Sequence, residues 1–219
     1  MSIIQYLESD HPTNLPLSSE IFVKLREDIL TGKLSSGDKL TESRICKEYG
    51  LSRTPVREAF RQLEADGLIE NIPNRGAFVI GLSKQDIHDL KILRAQSEIQ
   101  AVRWAVERIT EEELEELQET FEFMEFYTMK NDIPKMLNIN TAFHQIIYHA
   151  THNHMLTQQL ISYQMYLRHC DPSNYFAPGY LREVLSEHRE IFEALETGDP
   201  DAGAEAMRTH LQNAEHRKF

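Results

Sequence analysis

Apolar residues in the first 80 positions recur at helical spacing in three short segments. An apolar stripe at i, i+4 and i+8 predicts a helix over residues 18–32. Two shorter helices are predicted over residues 41–49 and 52–66, because each starts at a serine or threonine that can cap it and is followed by a glycine that can end it. Two β-type runs, LIENI and GAFVI, come next and are joined by PNR, which is the composition of a hairpin.

Helical spacing continues from residue 83 to the C-terminus and predicts six further helices without a strand, which indicates an all-α bundle. The segment CDPSNYFAPGY is the one clear loop in this half. In the first half, a helix, a helix-turn-helix and a two-stranded wing follow one another, as in a winged helix-turn-helix domain. The predicted fold is therefore mainly α, with an N-terminal arm over residues 1–17, a winged helix-turn-helix domain over 18–82 and an all-α six-helix bundle over 83–219.

The third predicted helix separates its residues by face. Four apolar residues at i, i+3, i+4 and i+7 are expected to pack on the other two helices, namely Val56, Ala59, Phe60 and Leu63. Arg53, Arg57 and Arg61 follow one another on a neighbouring face, and Ser52 and Thr54 lie at the start of the helix. A helix N-terminus presents N–H groups and a partial positive charge to a phosphate, and arginines there can also bond guanine edges in the major groove.

Arg75 and Gly76 lie at the tip of the predicted wing. A glycine lets the backbone approach DNA closely, and the arginine can enter a groove or contact a phosphate. An arginine stripe alone is more typical of a solvated helix surface. Its combination with a capped turn, a short preceding helix and a wing favours DNA binding.

The formal net charge of −12 is unevenly distributed along the chain. Residues 1–80 hold 10 Lys and Arg against 12 Asp and Glu, a net of −2, whereas residues 81–219 hold 13 against 23, a net of −10. Nearly all of the acidity belongs to the helical half, so the two halves are expected to have separate roles.

The sequence also indicates where in the cell the chain is expected. No run of 18 apolar residues exists, and the N-terminus has acidic residues early and no basic region, so neither a membrane span nor a signal peptide is expected. Cys46 and Cys170 lie far apart without CxxC spacing, which is typical of reduced thiols in a cytosolic protein. The chain is therefore expected in the cytoplasm.

Three of the ten histidines lie in the middle of three different predicted helices. His144 is on or beside an apolar helix face, His188 is flanked by apolar positions, and His210 lies within the last helix. Neutral imidazole is the commonest protein ligand for metals, so three inward histidines can converge on a divalent cation. The other histidines lie at helix ends, in loops or alone, where solvated or capping roles are more typical.

Both halves resemble known domains. The stretch GDKLTESRICKEYGLSRTPVREAFRQLEADGLIENIPNRGAFV is similar to the N-terminal domain of the GntR family of bacterial transcription regulators, above all in SRTPVREA. The helical half is similar to the FCD domain of the FadR-type subfamily, through LRAQSEIQAV, NTAFHQIIYHATHN, EHREIFEAL and MRTHL. The resemblance implies a DNA-binding domain followed by an effector-binding and dimerisation domain, and hence a homodimer.

The resemblance also implies which residues bind DNA. The operator contacts are expected from Ser52, Arg53, Thr54 and Arg57, with Gly76 at the wing. Many relatives carry a basic residue in the second helix where this chain has Ser43, so one contact of those relatives is not expected here.

The resemblance further implies a metal site. Metal-binding members of the subfamily use an Asp and a His four apart on one helix and two His from the last two helices. The corresponding residues here are Asn140, His144, His188 and His210. Because an amide supplies no negative charge, a weaker or exchangeable divalent metal is expected, with zinc favoured by the ligand type and nickel or manganese also compatible.

Arg94 lies at the subfamily's arginine position in the first helix of the bundle. Its guanidinium can bond a carboxylate, or it can pair with Glu98 one turn away, and the sequence favours neither alternative. With the metal, Arg94 would hold a small organic acid or sugar acid. The resulting prediction is a repressor whose operator affinity is controlled by such a metabolite.

Two alternative functions compete with this prediction. A three-histidine metal could activate water in a hydrolase, but the sequence has no nucleophile elbow and no HExxH, and the candidate bases Glu187 and Glu190 are predicted at the surface. A helical adaptor that has lost DNA binding is disfavoured by the intact SRTPVRE. The chain is therefore predicted not to be an enzyme.

Overall fold

The computed structural model describes residues 16–168 and 179–216. The chain divides into two compact units at His88–Asp89. The predicted N-terminal arm lies outside the described residues apart from Pro16 and Leu17. The predicted loop CDPSNYFAPGY also lies outside them, apart from its last two residues.

The N-terminal unit contains three helices and three short strands. In chain order they are α1 (Leu17–Leu30), β1 (Lys39–Leu40), α2 (Glu42–Tyr49), α3 (Arg53–Ala65), β2 (Ile69–Ile72) and β3 (Gly76–Val79). Helix α1 packs on α3. The apolar stripes predicted on these two helices are buried, and they comprise Ile21, Leu25, Ile29, Val56, Ala59, Phe60 and Leu63.

The sheet of this unit has one strand more than the predicted two-stranded wing. Strand β1 pairs antiparallel with β3, which in turn pairs antiparallel with β2, giving the order β1-β3-β2. The register places Lys39 opposite Phe78 and Ile72 opposite Gly76. The sequence pattern missed β1 because two residues are too few to show an alternation of apolar and polar positions.

Six helices follow, and the described residues of this half contain no strand. They are α4 (Lys84–Arg108), α5 (Glu111–Met129), α6 (Ile133–Ala150), α7 (His154–Leu167), α8 (Tyr180–Thr197) and α9 (Pro200–His216). Together with the N-terminal unit, they confirm the predicted fold class. Across the described ranges, no helix is long and apolar enough to cross a membrane.

The core of the C-terminal unit is formed by α5, α6, α8 and α9, together with part of α4. Helix α5 packs on α6 and on α8, and α8 packs on α9. The large buried side chains of this core include Phe121, Met124, Met136, Ile139, Phe143, Ile191 and Met207. The middles of α6, α8 and α9 all face this core, and each of them carries one of the three predicted histidine ligands.

Gly203 marks a close approach of α9 to α4. A Cβ atom at this position would lie 2.7 Å from Cγ1 of Val102, which is fully buried. A valine in a helix has one strongly preferred rotamer, so it cannot turn away cheaply. The close packing of these two helices therefore depends on the missing side chain of Gly203.

Gly203→Ala is expected to lower the free energy of unfolding by about 1–3 kcal/mol, the usual cost of overpacking a core. The measurement is urea unfolding followed by circular dichroism. Alanine is by itself a better helix former than glycine by about 1 kcal/mol, and Ala202→Gly at the neighbouring exposed position measures that effect alone. A Gly203→Ala variant that is stabilised by the amount that Ala202→Gly loses would contradict the tight contact.

Candidate nucleic-acid interface and metal centre

Helix α3 is held at its start by a short turn after α2. Gly50 ends α2 with a left-handed backbone, φ 66°, and its N–H bonds the carbonyl oxygen of Cys46. Ser52 occupies the N-cap position of α3, but its side chain makes no capping bond. Ser52, Arg53 and Thr54 are all exposed. The N-terminus of α3 is therefore an exposed polar end with N–H groups available to an anion.

The arginine stripe lies on the exposed side of α3. Arg57 is 61% exposed, and its Nε atom donates to Oε1 of Glu42 in α2 at 2.8 Å. Arg61 is 78% exposed and lies 3.4 Å from Oε2 of Glu58. The bond from Arg57 to Glu42 links the two helices of the helix-turn-helix and orients the guanidinium. Sequence reasoning missed this role of Glu42, because a pair 15 residues apart has no signature in helical spacing.

The wing presents basic groups around one aromatic ring. Arg75 is exposed in the β2–β3 turn, and its guanidinium carbon lies 5.6 Å from the ring centroid of Phe78. Nζ of Lys39 in β1 lies 5.8 Å from the same centroid. Gly76 has φ +98°, a backbone conformation that disfavours other residues, and a Cβ atom there would lie 3.3 Å from the Lys39 side chain. The sequence did not predict Lys39 as part of the wing, because it did not predict strand β1, which carries this residue.

The predicted histidine ligands come together in the interior of the C-terminal unit. His144 on α6 and His188 on α8 are fully buried, and His210 on α9 is 6% exposed. One ring nitrogen from each lies within 4.8 Å of those of the other two. The Nε2 atoms of His144 and His188 are 3.3 Å apart, which is also the separation, about 3.3 Å, of two nitrogens bound at about 2.05 Å to a tetrahedral zinc ion.

An oxygen acceptor faces the Nδ1 atom of each of the two fully buried histidines, His144 and His188. The carbonyl oxygen of Val184 is 2.7 Å from Nδ1 of His188. Oε2 of Glu98 is 3.0 Å from Nδ1 of His144. These last two atoms are not aligned as a hydrogen bond, and neither has another hydrogen-bond partner among the described residues. A rotation of the His144 ring would be needed to complete an N–H···O bond between them.

The third histidine is held in the same way. Oε2 of Glu187 is 2.8 Å from Nδ1 of His210, and Oε1 of Glu187 accepts from Nδ2 of Asn213 at 2.8 Å. Burial lowers the pKa of His210 below its ordinary value of 6.5, although Glu187 acts in the opposite direction. The lowered pKa of His210 favours its neutral form, which is the form that binds metals.

These contacts favour one tautomer for each imidazole. Carboxylate and carbonyl oxygens only accept hydrogen bonds, so an Nδ1 atom that bonds one of them carries the proton, and the Nε2 atom of a neutral ring then has a lone pair. Lone pairs that converge within a few ångströms repel one another unless a cation lies between them. The arrangement therefore fits a divalent metal ion.

Asn140 adds an oxygen on the same helix face as His144. The two residues are four apart on α6 and therefore neighbours on its surface. Oδ1 of Asn140 is buried and has no hydrogen-bond partner within the described parts of the chain. A buried amide oxygen without a partner costs about 1–3 kcal/mol, so it is suited to a fourth ligand position.

Arg94 and Tyr148 surround Glu98 on its other side. Nε of Arg94 is 2.5 Å and the hydroxyl of Tyr148 is 2.7 Å from Oε1 of Glu98, so the pairing alternative for Arg94 is present in the structure. Burial acts to raise the pKa of the Glu98 carboxyl, but the charge of Arg94 and the contacts from His144 and Tyr148 hold it well below its ordinary value. The Arg94 side chain is still 23% exposed.

Two carboxylates of this site were not predicted. Glu187 was expected at the surface, and that expectation is wrong, because its side chain is only 12% exposed and it contacts His210. The sequence predicts Glu98 only as a possible partner of Arg94, because helical spacing cannot reveal a contact with His144, which is 46 residues away. By contrast, the exposed His152 pairs with Glu113 outside the cluster.

Comparison with known proteins gives matches over nearly the whole chain. The profile of the gntR family of bacterial regulatory proteins matches residues 17–79, and that of the FCD domain matches residues 91–213. The HTH-type transcriptional regulator YdhC of Bacillus subtilis (strain 168) is 28% identical over 214 residues, covering 95% of this chain and 93% of YdhC. The galactonate operon transcriptional repressor of Escherichia coli (strain K12) is 26% identical over 221 residues, covering 91% and 96%. The solved structure of E. coli McbR/YncC matches with a TM-score of 0.70 and 25% identity, covering 92% and 96%.

Proposed function

The chain belongs to the gntR family of bacterial regulatory proteins and carries an FCD domain. From this premise we propose that the protein is a repressor that binds operator DNA as a homodimer. Family membership confirms the prediction of a transcriptional regulator rather than an enzyme, and the relatives give the hydrolase alternative no support. A relative of similar length is named as an operon repressor. A repressor acts on chromosomal DNA, which places it in the bacterial cytoplasm.

DNA binding is assigned to the exposed end of α3 and to the wing. Arg53 and Arg57 would contact phosphates or guanine edges in the major groove, with Ser52 and Thr54 bonding the backbone. At the wing, Arg75 and Gly76 would approach the adjacent groove. The supporting observation is that all six of these residues are exposed while the apolar face of α3 is buried. One such unit reads few base pairs, so two are needed, at half-sites about 34–36 Å apart.

The C-terminal unit would hold a divalent metal ion through His144, His188 and His210, with Asn140 as the fourth protein ligand. The observation that carries this assignment is the convergence of one ring nitrogen from each of the three histidines, whose Nδ1 atoms all face acceptors. Imidazole ligands favour zinc, and nickel and manganese are compatible alternatives. When bound, such a metal supplies a Lewis acid to which a carboxylate can bind.

The effector would be a small carboxylate, and sugar acids are the first class to test. Arg94 lies next to the centre through Glu98, and a guanidinium has further donors that can bond a carboxylate. The galactonate operon repressor is one of the relatives. A ligand shifts an equilibrium toward the conformation that it binds more tightly. Effector binding would release DNA by favouring a conformation of the dimer with lower affinity for the operator.

The proposal is tested by selecting duplexes from a random-sequence library with the full-length chain and measuring their affinity by fluorescence anisotropy. Binding to a two-fold symmetric sequence that weakens on addition of zinc together with D-galactonate or related sugar acids supports the whole proposal. Failure to enrich any sequence would refute DNA recognition. Tighter binding with every carboxylate tried would refute release by the effector.

Asn140→Asp is expected to raise zinc affinity by about 10-fold or more, because a charge-assisted contact replaces a neutral one. The measurement is competition with a chromophoric chelator near neutral pH. Asn138→Asp adds the same charge to the same helix, where the native side chain accepts a bond from Arg168 at 3.0 Å. Equal gains in the two variants would mean a general charge effect and no coordination by residue 140.

A further inference from the structure

We infer that Glu98 is the positioning residue of the metal centre, which fixes the tautomer of His144 so that Nε2 faces the metal. This inference rests on the proposed metal binding and adds a residue that does not itself contact the metal. Glu98 lies on α4, whereas the three histidines lie on α6, α8 and α9. A fourth helix, α4, would therefore contribute to the metal centre.

The contacts of Glu98 divide cleanly between its two oxygens. Oε1 accepts from Nε of Arg94 at 2.5 Å and from the hydroxyl of Tyr148 at 2.7 Å. Oε2 faces Nδ1 of His144 at 3.0 Å. The Glu98 side chain is fully buried, so water does not compete for either oxygen. Two strong donors thus hold one oxygen and thereby aim the other at the histidine.

This division determines which nitrogen of His144 can bind a metal. A carboxylate oxygen accepts and never donates, so Nδ1 must carry the proton of the neutral ring and Nε2 must be bare. Nε2 is the atom that lies 3.3 Å from Nε2 of His188. Carboxylates that bond the outer nitrogen of a ligand histidine are known to fix ring orientation and to raise ligand basicity.

Glu98→Gln is expected to reverse the tautomer of His144. Arg94 and the Tyr148 hydroxyl both donate, so they would retain the carbonyl oxygen of the glutamine at the position of Oε1. The NH₂ group would then stand at the position of Oε2 and donate to Nδ1 of His144. Nδ1 would have to accept, the proton of the ring would move to Nε2, and His144 would lose its lone pair toward the metal.

The first measurement is zinc affinity by chelator competition with the full-length chain. Glu98→Gln is expected to weaken zinc binding by about 10- to 100-fold, the usual effect of removing such a partner. The matched control is Glu113→Gln, because Glu113 pairs with the exposed His152 at 3.0 Å, outside the cluster. Glu113→Gln is expected to leave zinc affinity unchanged. Equal affinities of Glu98→Gln and the wild type would overturn the inference.

The second measurement reads the tautomer directly, from the ¹⁵N shifts of labelled histidine in chelator-treated protein above neutral pH. The wild type is expected to show His144 protonated on Nδ1, and Glu98→Gln is expected to show it protonated on Nε2. A merely structural role for Glu98 would not exchange the two nitrogens. Neutralising Glu98 leaves the charge of Arg94 without its partner and lowers stability, so the wild-type spectrum matters most. A wild-type His144 protonated on Nε2 would overturn the inference even if the variant does not fold.

The outcomes also separate this inference from the proposed function. A wild type that binds no zinc would refute the metal centre itself, whatever the tautomer of His144. A wild type that binds zinc as tightly as Glu98→Gln refutes only the role of Glu98. DNA binding is measured independently and is expected to be present in both proteins.

Discussion

Replacing Arg53 and Arg57 together by alanine is expected to weaken operator binding by about 2–6 kcal/mol, or roughly 30-fold to 2×10⁴-fold in affinity. Each arginine that bonds a guanine edge contributes about 1–3 kcal/mol of discrimination. Both residues are exposed on the first two turns of α3, and Arg57 is oriented by Glu42. Fluorescence anisotropy with a selected operator duplex, repeated at several salt concentrations, measures the loss.

The salt dependence distinguishes the kind of contact that is lost. A phosphate contact lowers the slope of log affinity against log salt by about 1 when it is removed, whereas a base contact changes sequence preference. Arg208→Ala is the matched control, because Arg208 is also an arginine paired with a glutamate, Glu205, but lies on α9 in the C-terminal unit. If the double variant binds the operator as well as the Arg208→Ala control does, α3 is not the recognition helix.

The same double variant separates the regulator from the adaptor alternative. A regulator is expected to lose operator binding but to keep the proposed metal centre, because α3 belongs to the other compact unit. An adaptor that has lost DNA binding would show no effect on DNA at all. The measured pattern therefore distinguishes the two functions.

Elements with strong periodicity could be predicted from the sequence, and tertiary contacts could not. Helix α3 was predictable because Val56, Ala59, Phe60 and Leu63 define one apolar face at helical spacing and lie between Gly50 and Gly67. The burial of His144, His188 and His210 followed from their mid-helical positions. Strand β1 was missed because its pairing with β3 decides its conformation, and two residues carry no period of their own.

The contacts around the proposed metal site show the same limit of prediction from sequence. A glutamate in a helix of an acidic chain is usually solvated, so the sequence predicted Glu187 at the surface. The packing of α8 on α9 instead brings Glu187 to His210 and Asn213. Glu98 meets His144 across 46 residues of chain, and only the packed bundle brings the two together. Spacing along one helix predicts a shared face, but it cannot identify a partner on another helix.

The acidic charge of the helical half is compatible with DNA binding by the other half. Ten Lys and Arg lie in residues 1–80, including the exposed Arg53, Arg57, Arg61 and Arg75. Screening confines electrostatic interactions of exposed charges to about 8 Å at physiological salt. Local charge at α3 and the wing would therefore determine the contact with phosphates.

His188→Leu is expected to abolish the stabilisation of the chain by zinc. At a free zinc concentration of about 100 times the dissociation constant, wild-type binding adds about 2.7 kcal/mol to the free energy of unfolding, which is a rise in Tm of roughly 5–10 °C for a chain of this size. Removing one of three imidazoles should weaken zinc binding by about 100-fold or more, since loss of an outer partner alone costs 10- to 100-fold. Thermal unfolding with and without zinc measures the difference.

Leucine at this position tests the origin of the effect as well. The His188 side chain is fully buried and packs edge-on against the ring of Phe143, with centroids 5.0 Å apart. An apolar side chain of similar size removes one of the converging lone pairs, so the metal-free variant is expected to be at least as stable as the metal-free wild type. His149→Leu is the control, because His149 is exposed on the same helix as His144, and its response to zinc should match the wild type. A zinc-induced rise in Tm that survives His188→Leu but is lost in His149→Leu would place the metal away from the buried cluster.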